Sequence, residues 1–310
     1  MIPAGRQRQR HAFTLIELLV TVAIMAVLAT LFVSALSHAK AKGQSVICMG
    51  NLRQQALGFK MAVESNEGRL NRSYQVTNGK IVDSGFENYM DTPQARWWAT
   101  EWGVRASSSV CPAAPERPLK DRVISPNFHS SSVYPGAFNA AWVIEATYDG
   151  WWLDQPYNPK APQKRIGGYT ANAWLLGDWY WNSSEFGSVR DFFRCEAEID
   201  KPSETPLFAD GVFWGFTFFS LGPRASDLPA NNLASGAFPF SPWSMAGFTI
   251  PRHGSRASTV SSNFPPTEKL PGAINVVFYD GHVETAKLER LWSFYWHKDY
   301  VPPAKRPGLR

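Results

Sequence analysis

The chain has 310 residues, of which 18% are charged and 44% hydrophobic, with a formal net charge of +5. That charge falls to +2 once Arg6, Arg8 and Arg10 are set aside. No Lys/Arg run follows residue 10, which excludes an electrostatic binder of nucleic acid. About 270 residues remain beyond the apolar segment near the N-terminus, enough for one large domain or two small ones.

The first element is carried by "RQRQRHAFTLIELLVTVAIMAVLATLFVSAL", residues 6–36. Leu18 to Leu36 is an uncharged stretch of nineteen residues. At about 1.5 Å per residue it covers most of a hydrocarbon core of about 30 Å, so it reads as a transmembrane helix. Three arginines precede it, and the first sixteen residues hold no acid, which places the N-terminus in the cytoplasm and the rest across the membrane. Glu17 at the start of the run costs on the order of 3 kcal/mol to insert, so it calls for a partner. A secretory signal peptide cut after Ser37-His38-Ala39 is the competing reading. Against it, the apolar stretch exceeds the usual 7–15-residue core of about two turns or more, and it opens on a carboxylate.

"HAFTLIELLVTVAIMAVLA" resembles the N-terminal signature of type IV prepilins and type II secretion pseudopilins. The resemblance implies that Ala12, where the family generally has Gly, ends a basic leader of residues 1–12 and that Phe13 becomes an N-methylated mature N-terminus. It further implies that Glu17 neutralises the α-amino group of a neighbouring subunit and so acts as an assembly contact. The partners implied are a prepilin peptidase/N-methyltransferase, other pseudopilin subunits and an inner-membrane secretion platform. The location implied is a single-pass protein of the bacterial inner membrane with a periplasmic domain.

The helix continues past the membrane. Met49, Leu52, Ala56, Phe59 and Val63 alternate in spacings of three and four, one apolar stripe on a helix, and "SNEGR" at 65–69 supplies a stop. The spacing predicts a helix from about Thr14 to Ser65, roughly 75 Å long. Residues 13–37 form its membrane half and 38–66 its outer half, while Gly43 and Gly50 each weaken it by about 1 kcal/mol.

Residues 67–310 read as a β-rich domain of short strands and long loops. The predicted fold class is therefore α+β, a long N-terminal helix packed on a mainly antiparallel β-rich domain. "TPLFADGVFWGFTFF" and "GAINVVFYDGHVETA" each place Asp-Gly between apolar runs, so Asp210-Gly211 and Asp280-Gly281 are predicted to be type I′ hairpin turns. A short helix follows, with Leu288, Leu291, Trp292 and Tyr295 on one face. The cysteines are Cys48, Cys111 and Cys195, an odd number, so at most one pair forms within the chain. Cys48 and Cys111 are the preferred disulfide in an oxidising periplasm.

"RHGS" followed by "GAINVVFYDGHVE" is similar to the C-terminal motif of prepilin-like proteins named for a His, nine residues and Asp-Gly. Here 26 residues separate His253 from Asp280, and the insertion "RASTVSSNFPPTEKLPG" is loop-like. Two readings of His253, Asp280, His282 and Asp210 follow. They are a metal site, for which the pseudopilin resemblance implies calcium, or they are structural. Calcium wants six to eight oxygens and these carboxylates are isolated, so the expectation is a structural His and no cofactor. Clusters such as Trp97-Trp98, Trp151-Trp152 and "WLLGDWYW" at 174–181 stack on sugars or fill a core. The chain lacks GxSxG, HExxH, Walker and dinucleotide motifs. The sequence therefore reads as a non-catalytic, pseudopilin-like filament subunit. The rival from another class is an exported carbohydrate-binding or hydrolytic protein on a prepilin-type anchor.

Overall fold

The computed structural model describes residues 14–70, 74–77, 80–83, 97, 101–103, 106–118, 133–145, 164–175, 191–213, 222–236, 244–254 and 260–310. Ala12, Phe13, Trp98, Trp151 and Trp152 lie outside them. The chain divides into two units, residues 1–43 and 44–310.

Helix α1 runs Leu15–Glu64 and carries the apolar stripe. In its outer part Cys48, Leu52, Phe59 and Val63 are fully buried and Ala56 nearly so, while Met49 is only half-buried. The stop falls where the backbone turns left-handed: Glu67 and Gly68 have φ of 58° and 71°, and the Gly68 N–H returns to the Val63 carbonyl at 3.0 Å.

Three antiparallel sheets follow among the described residues. The first pairs β1 (Tyr74–Thr77) with β2 (Lys80–Asp83). The second has the order β3 (Val133–Tyr134), β4 (Trp142–Glu145), β5 (Lys164–Gly167), with a single helical turn α2 (Ala106–Ser109) ahead of it in the chain. The third has the order β6 (Tyr169–Ala171), β7 (Pro206–Asp210), β8 (Ala273–Phe278), β9 (Val283–Lys287). β7 and β8 are buried at every residue, as a continuous apolar run predicts for strands covered on both faces. One cover is α1: Phe59 meets Phe208 edge-on at 5.7 Å, and the Asn275 side-chain amide reaches Ser45 at 3.1 Å. Side chains alternate along a strand, so Phe278 points to the other face, where Phe294 lies at 5.0 Å. Phe294 follows the 3₁₀ segment Leu288–Ser293, which buries Leu288, Leu291 and Trp292.

The tryptophans among the described residues are core, not cleft. Trp142, Trp174, Trp292 and Trp296 are all but fully buried, and the indole N–H of each finds a backbone carbonyl. Against Trp174 and Tyr300 sits the ring of His297, at 4.9 and 5.1 Å. Burial lowers its pKa below the ordinary 6.5.

The two Asp-Gly sites differ. At 278–282 the Gly281 N–H closes a turn on the Phe278 carbonyl at 2.9 Å, and the Phe278 N–H bonds the His282 carbonyl at 3.0 Å. Gly281 has φ of 94°, whereas Asp280 is not among the residues of positive φ. The hairpin is thus a type I turn with a following left-handed glycine, not the expected type I′ turn. Asp210-Gly211 is no hairpin turn. Asp210 closes β7, whose partners are β6 and β8, and Gly211 lacks a positive φ. Its glycine answers a close crossing instead, because a Cβ there would sit 2.0 Å from Thr170 Oγ1.

Two outcomes follow from these positions. A Cβ at Gly281 meets nothing within 4 Å, so Gly281→Val acts through backbone strain alone and costs about 1–3 kcal/mol in urea unfolding, with Gly281→Asn milder. For His297, the folded state favours the neutral ring. Its contribution is complete above the unfolded pKa of 6.5 and is lost as pH falls below it. Melting temperatures measured from pH 8 to about pH 5 should therefore drop less in His297→Phe than in the parent chain.

Candidate functional site

Four segments distant in sequence deliver a polar cluster to the interior of residues 44–310. Cys48 comes from α1, Cys111 from the loop after α2, Asp210 from the end of β7, and Arg252 and His253 from the strand-like segment before residue 254. Each is placed by local bonds. Side chains of α1 hold the Cys111 loop, with Gln44 donating to the Pro112 carbonyl at 3.0 Å and Asn51 to the Val110 carbonyl at 3.1 Å. Gly168 lets that loop approach, since a Cβ there would meet the Cys111 nitrogen at 2.8 Å. His253 is fixed by a reciprocal pair of 2.8 Å backbone bonds with Ala273, at the start of β8.

Asp210 is the hub. Its Oδ1 accepts from Cys48 Sγ at 3.3 Å and from Arg252 Nη1 at 3.2 Å. Its Oδ2 accepts from the Asn275 N–H at 2.8 Å and faces His253 Nε2 at 3.2 Å. Cys111 Sγ lies 3.4 Å from the same His253 Nε2. The Arg252 guanidinium spends its remaining donors on the carbonyls of Ala137, Phe138, Gly168 and Gly211. Asp210 and the Arg252 side chain are fully buried.

The electrostatics follow from burial and pairing. Burial pushes Asp210 toward its neutral form, but the charge and hydrogen bond of His253, the charge of Arg252 and the Asn275 N–H outweigh it and hold the carboxyl at about 2. Burial lowers His253, and Asp210 more than reverses this to about 9. Burial raises the Cys48 thiol well above its usual value. For Cys111 burial acts in the same sense, but bonds from Cys48 and His253 bring it down to about 6. A nucleophile relay needs the two imidazole nitrogens to face different groups and a route for substrate. Here one nitrogen faces both the thiol and the carboxylate, and Cys111 is fully buried.

The other feature lies at the start of α1. Thr14 Oγ1 accepts the Glu17 N–H at 3.2 Å, while the Glu17 carboxylate accepts the Thr14 N–H and hydroxyl, both at 2.9 Å. This is a capping box, which satisfies helix donors left open by the first turn. Thr21 and Thr30 return their hydroxyls to the Leu18 and Val27 carbonyls. The large apolar side chains around them are exposed, Leu15 by 80% and Phe32 by 73%. The helix is long and apolar enough to cross a membrane.

Residues 7–33 match the family model of the prokaryotic N-terminal methylation motif. This is a prepilin-type N-terminus. No curated protein and no solved structure matches the chain. The matched segment takes in Arg8, Arg10, Glu17 and the first part of the apolar helix, and the β-rich domain stands on its own geometry.

Of the residues singled out for metal or motif chemistry, the structure unites Asp210 with His253 and separates both from Asp280 and His282. Asp280 lies in the turn past the far end of β8, whose course from Ala273 to Phe278 spans about 17 Å away from the His253 pairing. It bonds instead to its neighbour His282 Nδ1 at 2.7 Å, on the surface. In place of the expected disulfide the structure holds Cys48 and Cys111 as free thiols, brought together, with Cys48 Sγ also on Asp210 and Cys111 Sγ beside His253. Arg252 and Asn275 were not foreseen. Their signals were an Arg beside the His in "PRHGS" and a lone amide inside "AINVVF".

Removing Arg252 takes from a buried carboxylate one of its two neighbouring cations. Arg252→Met should cost about 3–5 kcal/mol in denaturant unfolding. Arg252→Lys should recover only part of this, because an ammonium cannot reach acceptors spread over so many segments. A loss below about 1 kcal/mol in the Met variant would remove Asp210–Arg252 from its place as a tie of the fold.

Proposed function

We propose that the chain is a non-catalytic, pseudopilin-like subunit of a type II secretion or type IV pilus-like filament. A prepilin peptidase/N-methyltransferase cuts it between Ala12 and Phe13 and methylates Phe13. The observation that carries this reading is the match of residues 7–33 to the methylation motif, over the same length of α1 whose apolar side chains are exposed. Such a stripe-free apolar helix needs lipid or other helices around it. In this reading the helix anchors the chain in the inner membrane with its N-terminus cytoplasmic, and later packs among the helices of neighbouring subunits and their secretion platform.

Glu17 has two roles here. Within the chain it closes the capping box with Thr14. Between chains its charge neutralises the new α-amino group of a neighbour, so two charges unfavourable in an apolar setting become one ion pair.

The two roles can be separated, because Gln serves in a capping box as well as Glu but carries no charge. In cells with a prepilin peptidase, mass spectrometry of the parent chain should find methylated Phe13 at the N-terminus. Ala12→Arg should retain the leader, and a chain beginning at Lys40 would refute the reading in favour of a signal peptide. Glu17→Gln should be cut normally yet recovered from sheared or cross-linked filaments at a small fraction of the parent level. Parent-level incorporation of Glu17→Gln would remove the ion pair from the proposal.

A further inference from the structure

We propose that Cys48, Cys111, Asp210 and His253 are the ligands of a structural zinc ion that joins the outer part of α1 to the sheet. Their ligand atoms all lie within 4.8 Å of one another. The separate approaches are 3.3 Å from Cys48 Sγ to Asp210 Oδ1, 3.4 Å from Cys111 Sγ to His253 Nε2 and 3.2 Å from that nitrogen to Asp210 Oδ2. A tetrahedral ion with Zn–S of about 2.3 Å and Zn–N or Zn–O of about 2.0–2.1 Å sets ligand-to-ligand edges of roughly 3.3–3.8 Å. Three of the six ligand-to-ligand edges thus stand at nearly the separations that one ion requires, and the other three lie within 4.8 Å.

The donor set selects the metal. Two thiolates with an imidazole suit a thiophilic, borderline-soft cation and are foreign to calcium or magnesium, which take oxygen. Charge points the same way. Two thiolates and a carboxylate carry three negative charges, which a divalent ion and the buried Arg252 guanidinium balance. On binding, both cysteines are held as thiolates and His253 as a neutral imidazole that binds through Nε2 with one proton kept on Nδ1; the thiol protons and the Nε2 proton that the metal displaces go to solvent. Groups behind the ligands already orient Asp210, through the Asn275 N–H at 2.8 Å and Arg252 Nη1 at 3.2 Å. All four ligands are buried, His253 the most exposed at 5%, so the site is closed, as structural zinc sites are. A disulfide between the cysteines would use only two of the four convergent donors.

The test uses the full chain purified in detergent without chelator. Elemental analysis should find one zinc per chain, and zinc titration should restore that ratio after chelation. Cobalt(II) in its place should give thiolate charge-transfer and tetrahedral ligand-field bands. Alkylation with peptide mapping should modify Cys195 at all times but Cys48 and Cys111 only after chelation, a readout that needs no variant. Cys195→Ser should keep the zinc, whereas Cys111→Ser and His253→Ala should lose it. A Cys48–Cys111 disulfide in the mapped peptides would overturn the proposal. So would zinc that stays far below one per chain on titration, or alkylation of Cys48 and Cys111 indifferent to chelator.

Discussion

Asp210 is a fully buried carboxylate, and the domain is arranged around the need to satisfy it. A bare charge in an apolar interior costs several kcal/mol, so the groups that meet it must be held in place by the rest of the fold. They come from every layer: a thiol from α1, a guanidinium and an imidazole from the segment before residue 254, and a backbone N–H from β8. Arg252 then passes the constraint outward, because its other donors bind the link between β5 and β6, the loop between β3 and β4, and the residue after Asp210. One carboxylate thereby sets the relative positions of the second and third sheets and the outer part of α1.

Around that hub the packing is conventional and aromatic. Phe59 and Phe208 couple the helix to β7, and Phe278 and Phe294 close the opposite face of β8. The tryptophans with buried indoles supply area while donating their N–H groups to carbonyls, so large side chains enter the interior without an orphaned donor. Glycine at 168 and 211 marks where backbone or side chain passes too close for a Cβ, which places the cluster at the tightest crossings of the domain.

The two parts of α1 obey different solvents. From Leu18 to Leu36 the helix carries no charged side chain and is apolar on all sides, as a segment surrounded by lipid or by other helices must be. From Gln44 onward one face, with the stripe Cys48, Leu52, Ala56, Phe59 and Val63 flanked by Asn51, Gln55 and Ala62, is buried against the domain. The capping box at Thr14 and Glu17 begins the first part and the left-handed pair Glu67-Gly68 ends the second.

Local information was enough for much of this chain. The helix and its end, the buried stripe, the glycine-dependent turn at Gly281 and the prepilin-type N-terminus are all properties of short windows, where period, turn chemistry or a contiguous motif suffices. The cluster was legible only in fragments. His253 and Asp210 stood out as residue types, yet nothing local distinguishes an Asp-Gly turn from an Asp that ends a central strand beside a tight crossing. The pairing of β7 with β6 and β8 decided that, and it sent Asp210 inward while leaving Asp280 at a hairpin tip. Cys48 and Cys111 were matched as a pair by context, but what each sulfur faces depends on contacts more than 140 positions away in the chain. Such contacts carry no periodic trace in the sequence. The chain by itself determined its helix, its turn and its membrane address, and the tertiary structure alone decided which buried charges and thiols meet, because only folding brings their distant segments within bonding distance.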